Sequence, residues 1–187
     1  MEELDLEKDA LSLAGETLAG VAYQTVRWAS SSAWTGPGPH PVSLAVHLEL
    51  ASGKRFRVHW ADQLHLHHGH GIAIAPLRVV DRDLGPLQDV SAQPAWADLV
   101  GAKIRSAIIH WRNVREALRS TFGVMVSIHG DWLRRRDYPQ TLELGFESGA
   151  QVYLSAARLV EGKGVGFSND LLVVFGRAQL EGIGLAS

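Results

Sequence analysis

The sequence predicts a mainly β protein, a β-rich α+β chain in which two related antiparallel β-rich halves pack together with one or two short helices. Three observations predict it. Alternating apolar runs flank a Ser-Gly turn in both halves, the same order of segments recurs along the chain, and helical periodicity is scarce.

The hairpins carry the strongest pattern. Val46, Leu48 and Leu50 alternate with His47 and Glu49 before Ser52-Gly53, and Phe56, Val58 and Trp60 alternate after it. In the second half Leu142, Leu144 and Phe146 precede Ser148-Gly149, and Val152 and Leu154 follow. A period of two places one set of side chains on each face of a strand.

The recurrence reaches further in both directions. Leu13-Ala14-Gly15 leads into TLAGVAYQTVRW, and Leu99-Val100-Gly101 leads into KIRSAIIHWRNV. After each hairpin a glycine-spaced loop is expected, Gly69-His70-Gly71 and Gly164-Val165-Gly166, each feeding a final apolar strand. The halves are drawn as residues 1–90 and 95–187, joined by the polar stretch between Pro86 and Pro94, or else as one compact domain. Helix is expected only in LEKDALSLAG, ending at Gly15, and in Asn113 to Gly123, with Asn113 as its cap.

Composition narrows the function classes. Of 187 residues 46% are hydrophobic and 20% charged, the balance of a chain that folds around a core. Eighteen Lys and Arg against twenty Asp and Glu leave a net charge of −2, so no global field favours nucleic acid or an anionic membrane, and any charge-based recognition is local. Without cysteine there is no disulfide framework, thiolate zinc site or cysteine nucleophile. The acidic start MEELDLEKDA and the interrupted LSLAGETLAGVA suit neither a signal peptide nor a membrane span, so a soluble, cytoplasmic protein is expected.

Several segments have residue types that can carry chemistry. His65, His67, His68 and His70 cluster near His59 and Asp62, and imidazoles at such density can hold a transition metal. No helical ligand signature fixes their geometry, so a His-rich loop without metal is the reading preferred, with a metal-dependent enzyme centred on 65–70 as its rival. Ser168 lacks the strand-turn-helix context of a nucleophile elbow, and His110 and His129 as bases come with no nucleophile chosen for them. Gly162 to Gly166 resembles a phosphate loop but runs into the strand-like LLVVF, where a helix would be needed. No catalytic residue and no cofactor are therefore assigned, and an enzyme is not expected.

Two further features point to contact with a partner. Between Lys103 and Asp137, Arg105, Arg112, Arg115, Arg119, Arg134, Arg135 and Arg136 outnumber the acidic residues. Arginine beside Trp111 and Trp132 suits a protein interface; a nucleic-acid adaptor built on residues 103–136 is the weaker alternative, and nucleic acid is not the expected partner. Trp28, Trp60 and Trp111 fall in apolar runs and are expected in the core. Trp34 and Trp132 sit among Gly, Pro, Ser and Arg and are expected on the surface. The partner-binding set is thus Trp34, Arg112, Arg115, Arg119, Trp132, Arg134, Arg135 and Arg136.

Tyr138-Pro139-Gln140-Thr141-Leu142-Glu143-Leu144, with Phe146-Glu147-Ser148-Gly149, Val152 to Ala156, Gly166 to Asp170 and Val173-Val174-Phe175, resembles small uncharacterised bacterial proteins similar to immunity proteins of polymorphic or contact-dependent toxin systems. The resemblance covers the last third of the chain, with an echo in the first half. It implies stoichiometric inhibition of a cognate protein toxin, a role that needs no catalytic residue.

Overall fold

The computed structural model describes residues 6–26, 34–61, 71–76, 85–113 and 137–185. They form ten strands and three short helices. In chain order these are α1 (Leu6–Leu11), β1 (Leu18–Gln24), β2 (His40–Val42), β3 (Ala45–Leu50), β4 (Arg55–Ala61), β5 (Gly71–Pro76), β6 (Leu87–Asp89), α2 (Pro94–Ala97), β7 (Ile104–Asn113), β8 (Asp137–Phe146), β9 (Gln151–Val160), β10 (Lys163–Phe175) and α3 (Arg177–Gly182). The protein is mainly β, and every strand pairing among the described residues is antiparallel.

The strands make two five-stranded sheets, ordered β5-β4-β3-β1-β6 and β2-β10-β9-β8-β7. Each contains a run of four neighbours that follow one another around the sheet, β1-β3-β4-β5 in one and β7-β8-β9-β10 in the other. Their alternating apolar residues face a single core, where Leu48, Val58 and Ile74 from the first sheet join Leu144, Leu154 and Val173 from the second. Burying such side chains is worth about 1.5–3 kcal/mol each, which is what holds the two sheets face to face. The sheets are not strictly one per half, because β2 lies early in the chain yet pairs with β10.

Backbone hydrogen bonds at the seam between the sheets are reciprocal. Gly15 N–H donates to Ile104 O (2.8 Å) and Gly101 N–H to Leu18 O (2.7 Å), while Ile104 N–H donates to Glu16 O (2.8 Å) and Leu18 N–H to Ala102 O (3.0 Å), on either side of a Thr17/Lys103 bridge. Gly15 and Gly101 both have positive φ, 86° and 88°, and each turns the chain from a helix end into a strand. The hairpins match as well. Leu50 closes on Lys54 with Gly53 at φ 83°, and Phe146 closes on Ala150 with Gly149 at φ 87°.

Other segments differ from expectation. Gly164 and Gly166 are strand residues, because the reversal is made one step earlier by Glu161 and Gly162, both at positive φ, as a two-residue hairpin requires. Asn113 is the last residue of β7, and residues 114–123, where the second helix is expected, lie outside the described residues. Part of the Pro86–Pro94 join forms β6, paired with β1. Trp34, expected on the surface, is only 2% exposed: its Nε1–H donates to Pro41 O (2.7 Å) and its ring meets Tyr23 edge-on at 5.1 Å. Trp60 and Trp111 pack against core clusters as expected, and the fully buried Trp96 joins them.

Candidate functional site

The outer face of the second sheet is where uncommitted polar groups gather. On β8 and β9, Leu142, Leu144, Val152 and Leu154 enter the core, so Thr141, Glu143, Tyr153 and Ser155 point away from it. Register places His110 opposite Thr141, and Thr141 opposite Ser155. The pairing of β7 with β8 shifts between His110 and Trp111, leaving Gln140 as the extra residue of a bulge. A bulge re-aims side chains, and here Gln140 joins the outer group.

A short helix covers part of this face. Leu180 and Leu185 pack on Tyr153, Ala157, Leu172 and Val174. Gly164 makes room for that cover, since a Cβ there would lie 2.5 Å from Leu185 Cγ. Gly166 does the same for the Gln140 amide, which a Cβ would approach to 2.7 Å. Beside the helix a pocket opens, lined by His110, Trp111, Arg112, Gln140, Thr141, Tyr153, Arg177, Leu180 and Leu185.

Hydrogen bonding inside the cluster fixes who donates to whom. Glu143 is nearly buried and both its oxygens are used: His110 Nε2 lies 2.7 Å from Oε2, and Gln151 Nε2–H donates to Oε1 at 3.0 Å. An ionised carboxylate only accepts, so His110 Nε2 bears a proton. Tyr138 Oη–H donates to Gln140 Oε1 at 3.1 Å, and the Arg112 guanidinium does so at 3.4 Å. This orients the amide, with Oε1 toward the guanidinium and Nε2 as a free donor. Thr141 and Ser155 hydroxyls bond each other at 2.7 Å.

Two buried donors lining the pocket stay without a hydrogen-bond partner among the described residues, Gln140 Nε2 (residue 3% exposed) and Tyr153 Oη (residue 1% exposed). Burial pushes the Tyr153 phenol above its usual value; the Glu143 charge adds to this and Arg177 opposes it. Tyr153 therefore keeps its proton, and its buried hydroxyl is a donor. Arg112 meets no carboxylate at ion-pair distance among the described residues, whereas Arg177 holds Glu181 at 2.9 Å.

Chemically, Glu143 and His110 form the orienting part of a general-base pair, but the nearby hydroxyls are engaged with each other. Ser168, weighed earlier as a nucleophile, is buried in β10 and accepts a hydrogen bond from the Asp170 N–H at 3.2 Å. No group of three or more His, Asp or Glu able to hold a metal occurs among the described residues. His65, His67, His68, His70 and His129 lie outside that set, as do Arg115, Arg119, Trp132, Arg134, Arg135 and Arg136. Of the expected partner-binding residues, Arg112 is at the pocket and Trp34 is in the core. Sequence reasoning missed Gln140, Glu143, Tyr153 and Arg177, although the outward positions of alternating strands were a usable signal for Glu143 and Tyr153.

No described helix is long and apolar enough to cross a membrane. No protein family, curated protein or solved structure matches the chain.

Proposed function

We propose that this chain is a binding protein acting by stoichiometric contact, in the manner of an immunity protein that neutralises a cognate protein toxin, and that the outer face of the second sheet around Arg112 is its contact surface. One observation carries the reading: a pocket on that face combines an arginine lacking a carboxylate partner with two buried, unpartnered donors among the described residues. Such groups suit recognition, since acceptor oxygens delivered by a partner would supply the hydrogen-bond partners that these donors lack. The resemblance of residues 138–175 to immunity proteins adds support, because the same stretch forms β8, β9 and β10, the strands that build the face.

We also read the two halves as copies of one module, supported by the reciprocal seam hydrogen bonds and the matching hairpins. On this reading, function resides where the copies differ. The corresponding face of the first sheet is a groove floored by Ala19, Gly20 and Ala22, in which Arg55 is already paired with Glu49 at 2.9 Å. A cytoplasmic location belongs to the same proposal.

The test is to mix the purified chain with the product of each adjacent open reading frame and measure affinity by calorimetry. A 1:1 complex that Arg112→Glu weakens by tenfold or more, roughly the value of a charge-assisted hydrogen bond, is expected. Failure of every neighbouring product to bind would remove the proposal.

A further inference from the structure

We infer that the pocket beside α3 is a carboxylate site: it takes a singly charged carboxylate on a short apolar stem, the form in which a partner protein would present an Asp or Glu side chain. The inference deepens the binding proposal and rests on it for the origin of the carboxylate, but not for the chemistry of the pocket.

Among the described residues, Gln140 Nε2–H and Tyr153 Oη–H have no acceptor and the Arg112 guanidinium has only a long contact with Gln140 Oε1 at 3.4 Å. Arg177 also lines the pocket and has N–H groups beyond the one given to Glu181. Acceptors are scarce, because Glu143 is filled by His110 and Gln151, and the Thr141 hydroxyl is bonded to Ser155. A ligand complementary to this lining brings acceptor oxygens, and a planar pair of them suits a guanidinium.

Charge then selects among acceptors. Arg177 is paired with Glu181, and Glu143 and Glu181 also act at Tyr153 electrostatically, so among the described residues Arg112 is the pocket cation left for a ligand. A dianion such as phosphate would meet two like charges, whereas a monoanion is compensated by Arg112. Shape completes the choice. Leu180 and Leu185 give the pocket an apolar wall, which suits one or two methylenes behind the carboxylate.

The experiment uses the full chain, labelled with 15N, and titrates it separately with propionate, propionamide and inorganic phosphate while recording the Gln140 side-chain amide and Arg112 Nε–H resonances. Propionate is expected to give saturable shifts with millimolar affinity, well short of the ceiling for a ligand of so few atoms. Propionamide should bind about tenfold more weakly, having lost the charge. Arg112→Gln should weaken propionate about tenfold, and Tyr153→Phe, which keeps the ring and its packing, about fivefold.

Equal binding of propionamide would overturn the inference in favour of a neutral carbonyl site. Tighter binding of phosphate would replace it with a phosphate site. No saturable shift with any probe would end it. The binding proposal fails separately: propionate that binds as expected while no neighbouring gene product does leaves the pocket assigned and the toxin partner refuted.

Discussion

His40 makes the stability of this protein depend on pH in a way that one substitution should abolish. It lies on β2, the strand that crosses to the second sheet, and it is 1% exposed. Trp96 Nε1–H can only donate, so it gives its proton to Tyr23 Oη at 2.6 Å, and the Tyr23 hydroxyl then gives its own to His40 Nδ1 at 2.9 Å. The chain of donors therefore requires His40 neutral, with its proton on Nε2. Protonating Nδ1 would leave the Tyr23 proton without an acceptor and place a charge between the rings of Tyr23 and Phe175. Burial accordingly holds the His40 pKa below its ordinary value, against a weaker pull from the Gly36 carbonyl. Because the folded pKa lies below the unfolded one, near 6.5, the contribution is complete above about pH 6.5 and is lost as pH falls toward the folded value. In that window the unfolded chain binds up to one more proton, a slope of at most about 1.4 kcal/mol per pH unit. Between pH 7 and pH 5.5 the loss is at most about 1 kcal/mol, or up to roughly 2–4 °C in Tm for a chain of this size. Urea unfolding of the wild type and His40→Gln at both pH values measures it. The glutamine oxygen can accept the Tyr23 proton but does not titrate, so the variant should lose less than the wild type over this range, by up to about 1 kcal/mol. Equal losses in the two proteins would refute the assignment of the effect to His40.

Three further substitutions test the packing around the site. Tyr153→Phe removes a buried donor that has no partner among the described residues, so stability should be unchanged or rise by about 1 kcal/mol in chemical denaturation. Gly71→Ala should cost about 3 kcal/mol and lower Tm by on the order of 10 °C, because φ is 147° and the new methyl would lie 2.5 Å from the Pro139 carbonyl oxygen. Gly164→Ala would drive Leu185 off the sheet; a loss of about 1–3 kcal/mol is expected, together with faster proteolysis after α3, and unaltered cleavage would contradict the packing described.

The fold was legible wherever a physical rule acts on few residues. Alternation found β3, β4, β8 and β9 because one face of each is in the core, and glycine marked Gly53 and Gly149 because the hairpins need positive φ there. Strands of three residues, such as β2 and β6, carry too little periodicity to be seen, and both exist by pairing with a longer neighbour. Trp34 misled because its Gly and Pro neighbours suggest exposure. The Pro41 carbonyl and the Tyr23 ring that bury it come from tertiary placement, which local composition does not encode.

The candidate site was less legible for a related reason. Arg112 stood out as one arginine in a basic stretch, yet what distinguishes it is company from other strands: Gln140 on β8 contacts it and Tyr153 on β9 lines the same pocket, while no carboxylate among the described residues neutralises it. Gln140 takes up that position through a bulge, and no sequence period announces a bulge. Tyr153 falls between Val152 and Leu154 in a strand whose alternation turns it outward, but helix α3 then covers it. An outward residue buried again by a later element is invisible to a rule of two faces. It is also the kind of residue whose polar end is left for a ligand. The carboxylate titration therefore weighs more than a survey of the arginines, since charge alone would be shared by every arginine of the segment and the paired buried donors belong to this pocket.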